Sequence, residues 1–400
     1  MGNPIAAVDL ARHYSRFKVG ERLLLTGHSH QAWPDVGFEA QQRAWLDAAE
    51  YVDEKWERAA EQAARVHSGF RRLLTDTDGD IALGQNTHEL VTRLLSALPL
   101  TARPKLITTD GEFHTIRRQL DRLAEAGLEV VKAAARPADT LADRIAAAID
   151  DRTSCVLVSS VLFETAEIVL GLDTIAQACH VHGAELLVDA YHHLNVVPFD
   201  IRALGLERAF VTGGGYKYCQ LGEGNCFLRV PPRCSLRPVL TGWFSEFASL
   251  EHTLRRHAQD DARLRVDYGS GAARFAGATY DPASHYRAAA VFAFHAELGL
   301  TAERLRAASR HQVGLLRQAV DALDVDPSIA RVEPISDDRR AGFLAIRSPR
   351  AGDLCRALRT AGVRSDFRGE VLRLGPAPYL TDNQLRDAVG ILGEIVSRRR

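Results

Sequence analysis

Four hundred residues exceed what one hydrophobic core usually supports, so the chain is expected to divide into more than one domain. With 46% hydrophobic and 25% charged residues it has the composition of an ordinary globular protein, and a net charge of −1 gives no support to a nucleic-acid or other polyanionic partner. No apolar run approaches the roughly 20 residues of a membrane span, no signal-peptide core opens the chain, and six scattered cysteines without a CxxC pair read as reduced thiols rather than a metal site, which together predict a cytoplasmic protein.

In chain order, a 3.6-residue apolar period predicts helices over 38–66, 88–98, 115–127, 139–149, 172–182, 251–266 and 284–298. Between them lie short apolar runs that read as strands: "DIALG" (80–84), "KLITTD" (105–110), "LEVVKA" (128–133), "SCVLVSSVLF" (154–163), "AELLVDAYH" (184–192), "RAFVTGG" (208–214) and "NCFLRV" (225–230). Strands alternating with helices imply crossover units and an α/β fold with a mostly parallel central sheet and helices on both faces. Beyond residue 295 the texture changes to helices over 301–323, 351–361 and 382–398 around the short strands 342–348 and 371–378. We read residues 41–295 as a large domain, 296–400 as a smaller α+β domain, and 1–40 as a segment that folds back onto the small domain.

Lysine usage marks the first functional candidate. The 50 basic residues include only five lysines, and Lys217 follows an apolar run and three glycines, with tyrosines on both sides in "GGGYKY". Arginine stays protonated in proteins, whereas lysine shifts its pKa and forms Schiff bases. Ligands of an open parallel sheet bind at the carboxyl ends of its strands. Asp189 closes one strand with His192 three residues on, Phe113 follows another, and Asn86 and Thr87 open a helix after "DIALG". Taken singly, these residues are a helix cap, a core aromatic or a satisfied histidine. Together they match the needs of pyridoxal phosphate: a lysine for the aldehyde, a carboxylate for the pyridine nitrogen, an aromatic face, and a helix N-terminus for the phosphate. Arg373, in "EVLRLGPAP", offers a bidentate fork to a substrate carboxylate.

These motifs resemble those of the fold-type-I pyridoxal-phosphate enzymes of the class V aminotransferase group, and among them the kynureninases. "YKYCQLGEGN" resembles that family's lysine motif and "VDAYHH" its Asp-x-x-His. "LLLTGHSHQAWP" is similar to its Gly-Asn-Ser segment, with His28 in place of the asparagine, and "EFHT" to its Asn-Phe-Pro-Thr. "TGWFS", "RFAGATYDPAS" and "DFRGEVLRLGPAPYL" resemble its Gly-Trp, Gly-Thr and Asp-Phe-Arg…Arg segments. The resemblance implies that Lys217 carries the cofactor and moves the α-proton. It further implies that Asp189 pairs with the ring nitrogen beside His192, that Phe113 stacks, and that Asn86, Thr87 and Tyr216 bind phosphate, with Tyr216 also near the leaving group. Trp243 and Thr279 would reach the site across a homodimer interface, Arg373 would take the α-carboxylate, and His28 and Ser29 would line the substrate.

The sequence also departs from that pattern. Leu162, Glu164, Ala166, Ile116 and Leu221 replace polar or small residues, which leads us to expect an altered substrate surface. The implied activity is hydrolytic Cβ–Cγ cleavage of kynurenine or a related aryl-keto amino acid. Class V transamination or β-elimination is the alternative, and a non-catalytic cofactor-binding regulator a more distant one. Cysteine desulfuration is disfavoured because "VRSDFRGEVLR" has no cysteine, and "TGGGYKY" fits neither a dinucleotide fingerprint nor a P-loop.

Overall fold

The computed structural model describes residues 5–249 and 266–397. Seven strands form the large sheet: β2 (Asp80–Gly84), β3 (Lys105–Thr109), β4 (Glu129–Ala133), β5 (Thr153–Ser159), β6 (Glu185–Asp189), β7 (Phe210–Gly214) and β8 (Cys226–Val230). Their order is β2-β8-β7-β6-β5-β3-β4, and only β8 runs antiparallel to its neighbours. That exception has a plain cause. Parallel strands need a long crossover, usually a helix, whereas β7 and β8 are joined by the loop 215–225 and can therefore pair antiparallel.

Alternate residues of the central strands enter two different cores. Val156, Val158, Val188, Val211 and Phe227 pack into one apolar cluster. Their neighbours Cys155, Leu157, Leu187, Phe210 and Leu228 pack into another on the opposite face. Both faces are covered, which is why these strands read as continuous apolar runs without polar alternation.

A four-stranded antiparallel sheet follows, ordered β12-β13-β10-β9, from β9 (Arg331–Val332), β10 (Leu344–Arg347), β12 (Asp366–Arg368) and β13 (Val371–Leu374). Near the N-terminus, β1 (Leu23–Leu24) pairs in parallel with β11 (Val363–Arg364). Leu10, Tyr14 and Leu25 share a core with Leu316, Leu344, Leu372 and Leu385.

Three elements differ from their sequence reading. The helix expected over 38–66 is two helices, Asp35–Tyr51 and Lys55–Leu73, broken at Val52, whose φ of 50° is adverse for a β-branched residue. The break lets both pieces pack on the helix Ala283–Glu297, through contacts such as Tyr286 Oη to Asp47 Oδ2 at 2.9 Å and the ring of Phe70 against Phe292. The run 154–163 leaves the sheet at Ser159, after which Val161 bridges Ile168. "AELLVDAYH" ends as a strand at Asp189, because the Asp189 carboxylate accepts from the Tyr191 N–H at 2.8 Å and closes a turn. The expected helix 251–266 lies outside the described residues except for its last position.

One ion pair locks β8 to the loop before β2. Arg229 is fully buried; its Nε donates to Asp76 Oδ2 at 2.9 Å and its Nη1 to the carbonyls of Glu207 and Ala209 at 2.9 and 2.8 Å. Removing one partner would leave a buried charge uncompensated. Asp76→Ala is expected to lower the unfolding free energy by roughly 3–5 kcal/mol in urea denaturation, and Asp76→Asn, which keeps an acceptor, by less.

Candidate active site

The strand ends β2, β3, β5, β6 and β7 converge on a cavity of about 250 Å³, and Lys217 reaches it from the β7–β8 loop. That loop is held from several directions. Gly215 N–H donates to Asn225 O at 2.8 Å, Leu221 N–H to Gly215 O at 2.8 Å, and Asn195 Nδ2 to Tyr218 O at 2.9 Å. Gln220 accepts from the Tyr14 hydroxyl and donates to Gln31 Oε1 at 2.7 Å, which ties the N-terminal segment to the lysine loop. The glycines before the lysine are explained by crowding. A Cβ on Gly214 would strike the Tyr191 hydroxyl and Cys226 Sγ, and one on Gly215 would strike Leu221.

Lys217 is 4% exposed, and its Nζ lies 2.7 Å from His192 Nε2. Three aromatic rings surround the amine, with centroids 4.4 Å (Tyr191), 5.1 Å (Phe113) and 5.8 Å (Tyr216) away. Burial lowers its pKa from 10.5 to about 7, because desolvation outweighs the attraction of Asp189. Burial also holds His192 well below the usual histidine range, so its neutral ring can accept from Lys217, while its Nδ1 is buried with no partner among the described residues.

Asp189 lines the same cavity, buried, at the end of β6 next to β7. Asn86 and Thr87 line it too, but Asn86 Oδ1 accepts from Glu89 N–H at 2.9 Å and is thereby spent as a helix cap. The amides of Thr87 and His88 belong to the first turn, whose N–H groups have no partner within the helix. Tyr216 lines the mouth, stacked on His30 with centroids 4.9 Å apart, and its hydroxyl is pushed up to about 12, chiefly by burial, so it stays protonated at neutral pH.

Other expected residues do not touch the cavity. His28 is fully buried, and its Nε2 lies 2.7 Å from Asp366 Oδ1. Burial first, then the Arg373 charge, lowers its pKa to about 4, so the ring is neutral and Nε2–H donates to the carboxylate. Ser29 Oγ donates to Thr26 O at 3.1 Å, within its own turn. The Arg373 fork already holds a carboxylate: Nε and Nη2 donate to the two Asp366 oxygens at 2.8 and 2.6 Å, and Nη1 donates to Phe163 O at 2.6 Å. Burial opposes ionisation of Asp366, yet the hydrogen bonds from His28 and Arg373 hold its carboxyl well below the usual range. Trp243 is 43% exposed and packs on Phe244 and Phe247, and Thr279 is exposed; neither borders the cavity of its own chain.

The departures from the family pattern lie elsewhere than expected. Leu162, Ala166, Ile116 and Leu221 are buried in apolar packing, and Glu164 pairs with Arg347 at 3.5 Å on the surface. None lines the cavity, whose wall here is built by Val161 and Phe163. These substitutions change the packing behind the site and leave its lining to other residues.

Sequence reasoning passed over several residues. Tyr191, inside the quoted "VDAYHH", supplies the nearest of the three six-membered rings around the Lys217 amine. Glu112, inside "GEFHT", is buried behind the wall, accepting from Thr109 Oγ1 at 2.8 Å and Ser159 Oγ at 2.6 Å, and burial pushes its carboxyl up to about 7. Asp366, in "DFRGEVLR", was legible only as part of a motif, because its pairing with Arg373 depends on the register of β12 against β13.

These features accommodate pyridoxal phosphate. The desolvated amine, the aromatic rings beside it, the buried carboxylate and the open helix N-terminus border one cavity, and the His192 ring has an unspent nitrogen there. Comparison with known proteins gives the same direction. Residues 305–392 match the family described as kynureninase C-terminal domain. The kynureninase of Bacillus thuringiensis is 28% identical over 323 residues, covering 78% of this chain and 72% of that protein. The Pseudomonas fluorescens kynureninase is 26% identical over 349 residues, covering 84% and 79%. An uncharacterized aminotransferase of Bacillus subtilis is 22% identical, covering 86% and 87%. Among solved structures, a cysteine desulfurase from Thermococcus onnurineus superposes with a TM-score of 0.80 at 16% identity over the whole of both chains. The cystine C–S lyase C-DES, in a form with glycine covalently linked to its pyridoxal cofactor, gives 0.79 at 16% identity, covering 96% and 98%.

The fold is that of fold-type-I pyridoxal 5′-phosphate enzymes, and the site carries the groups that this cofactor requires. In sequence the chain is similar to kynureninases and to an aminotransferase. Among the described residues no helix is long and apolar enough to cross a membrane.

The depressed pKa of Lys217 makes the site testable without a substrate. The amine is uncharged, and so nucleophilic, above about pH 7. Capture of pyridoxal phosphate by apoprotein is expected to accelerate through pH 7 and level off above it, where an ordinary lysine would keep gaining to about 10.4. Lys217→Ala is expected to lose the borohydride-bleached absorbance band.

Proposed function

We propose that the protein hydrolyses the side chain of an aryl-keto α-amino acid at the Cβ–Cγ bond, in the manner of a kynureninase. The observation that carries the reading is the buried Lys217 amine, caged by aromatic rings and hydrogen-bonded to His192. Bound pyridoxal phosphate supplies an aldehyde for that amine and an electron sink for bonds broken at the substrate α-carbon. Asp189 would hold the ring nitrogen protonated, Phe113 would cover the ring and exclude water, and the Thr87 hydroxyl with the first-turn amides would hold the phosphate. Lys217 takes the α-proton; a base titrating near 7 is matched to neutral pH. The Tyr216 hydroxyl, protonated and at the mouth, donates toward the leaving acyl group. Water adds to the γ-carbonyl carbon, the Cβ–Cγ bond breaks, and the electron pair left on Cβ takes a proton. Kynurenine plus water then yields anthranilate plus alanine.

Carboxylate recognition falls to the cluster of Arg373, Asp366 and Arg368, whose net charge is +1 with His28 neutral. The exposed aromatic surface at Trp243, with Thr279, supports a homodimer in which each chain completes its partner's site.

Desulfuration gains no support from the thiols. Cys355 is buried in the helix Ala351–Thr360 with its Sγ 3.4 Å from Ser365 O. Cys226 lines the cavity, but burial pushes it to about 12, leaving no thiolate at neutral pH. The test is product analysis with kynurenine and 3-hydroxykynurenine. Equal amounts of alanine and anthranilate-type acid, formed without a keto acid, are expected. Pyruvate with ammonia, keto-acid-dependent amine transfer, or a coloured protein that turns over neither compound would overturn the reading.

A further inference from the structure

Glu112 is a buried carboxyl with no part in the chemistry proposed above. It is 1% exposed, lies behind the cavity wall, and directly precedes Phe113. Its two oxygens divide three donors between them. Oε1 accepts from Thr109 Oγ1 at 2.8 Å and from the Ser159 N–H at 3.0 Å, and Oε2 accepts from Ser159 Oγ at 2.6 Å. Thr109 ends β3 and Ser159 ends β5. The registered pairing of those strands ends earlier, at Ile107 opposite Val156, so Glu112 joins the two strand tips beyond the ladder.

Both neighbours of this clasp face the cavity. Phe113 opens the helix His114–Glu125 and lines the cavity, with its ring centroid 5.1 Å from Lys217 Nζ and the Phe163 ring edge-on at 5.5 Å. Ser159 lines the cavity too and stands in register with Asp189 on β6. The loop that carries Phe113 is pinned on its other side, where Asp110 Oδ1 accepts from the Ala135 N–H at 2.7 Å. The clasp does not depend on charge. The Ser159 hydroxyl can donate to a carboxylate or accept from a carboxylic acid, and the two donors on Oε1 are served in either state. Burial pushes the Glu112 carboxyl up to about 7, and the clasp therefore stays closed on both sides of neutrality.

We propose that Glu112 is a positioning residue, which by clasping Thr109 and Ser159 sets the Phe113 ring over the cofactor ring and holds Ser159 beside Asp189. The inference rests on the pyridoxal-phosphate reading of the site and is independent of which substrate is cleaved.

The test uses cofactor-loaded protein and two readouts other than turnover. Induced circular dichroism of the cofactor band reports how the ring is held, and decay of that band on dilution reports cofactor release. Glu112→Ala is expected to weaken the ellipticity and to speed release roughly 10-fold, the scale of lost buried hydrogen bonds. Glu112→Gln is expected to restore both, because its amide oxygen takes the two Oε1 donors and its nitrogen donates to Ser159 Oγ. Glu112→Asp, one methylene too short, is expected to restore neither. In a Phe113→Leu background Glu112→Ala should add little to release, because the ring it positions is gone. Should Glu112→Ala fail to fold, Ser159→Ala decides, since it keeps the backbone N–H and removes only the 2.6 Å bond. Release about 3-fold faster than wild type supports the proposal, and unchanged release overturns it. A folded Glu112→Ala protein with wild-type ellipticity and release, or a Glu112→Gln protein as impaired as Glu112→Ala, would overturn the proposal and leave the cofactor reading standing. Wild-type protein that forms no coloured complex with pyridoxal phosphate would overturn both.

Discussion

The desolvation of one amine governs the rest of the site. A lysine ammonium sealed among aromatic rings loses its hydration, and the protein returns only part of it through a neutral histidine and a carboxylate across the cavity. The balance falls near neutrality, where the same nitrogen can act as nucleophile, base or acid. Each surrounding feature sustains that balance. The glycines admit Tyr191 close to the strand, the loop hydrogen bonds fix the lysine's direction, and the sheet places Asp189 one strand away.

A second constraint acts on anions. Two arginines and one aspartate stand on the same small antiparallel sheet, and the aspartate neutralises the more deeply buried arginine. Burying a lone guanidinium beside a lysine meant to lose its proton would be costly. The internal carboxylate makes the deep arginine tolerable while leaving net positive charge toward solvent. His28, which stands where the family resemblance has an asparagine, serves this arrangement by giving Asp366 a neutral donor.

Much of the architecture was legible because the central strands are buried on both faces, so their apolar runs are long and their ends are marked by polar residues. Lys217, Asp189, His192 and Phe113 could be grouped from their strand-end positions alone, and they border one cavity. The break at Val52 was hidden because both helices keep the same apolar period across it. The pairing of Asp366 with Arg373 and of Glu112 with Ser159 was hidden for another reason: each depends on register or on a strand crossing distant in sequence. The substitutions at Leu162, Ala166 and Ile116 looked like changes of lining, because sequence alone cannot tell a residue facing a cavity from one facing the core behind it.

The pairing of Leu23–Leu24 with Val363–Arg364, and the tether from Tyr14 through Gln220 to the lysine loop, join the two ends of the chain around the cavity. During synthesis the lysine loop therefore emerges long before its supports are complete. The large sheet can close early, but the N-terminal strand must wait for a partner made some 340 residues later. Full closure around the amine is thus confined to the finished polypeptide, and a ribosome-bound fragment would present Lys217 to the cell's aldehydes in a looser and wetter setting.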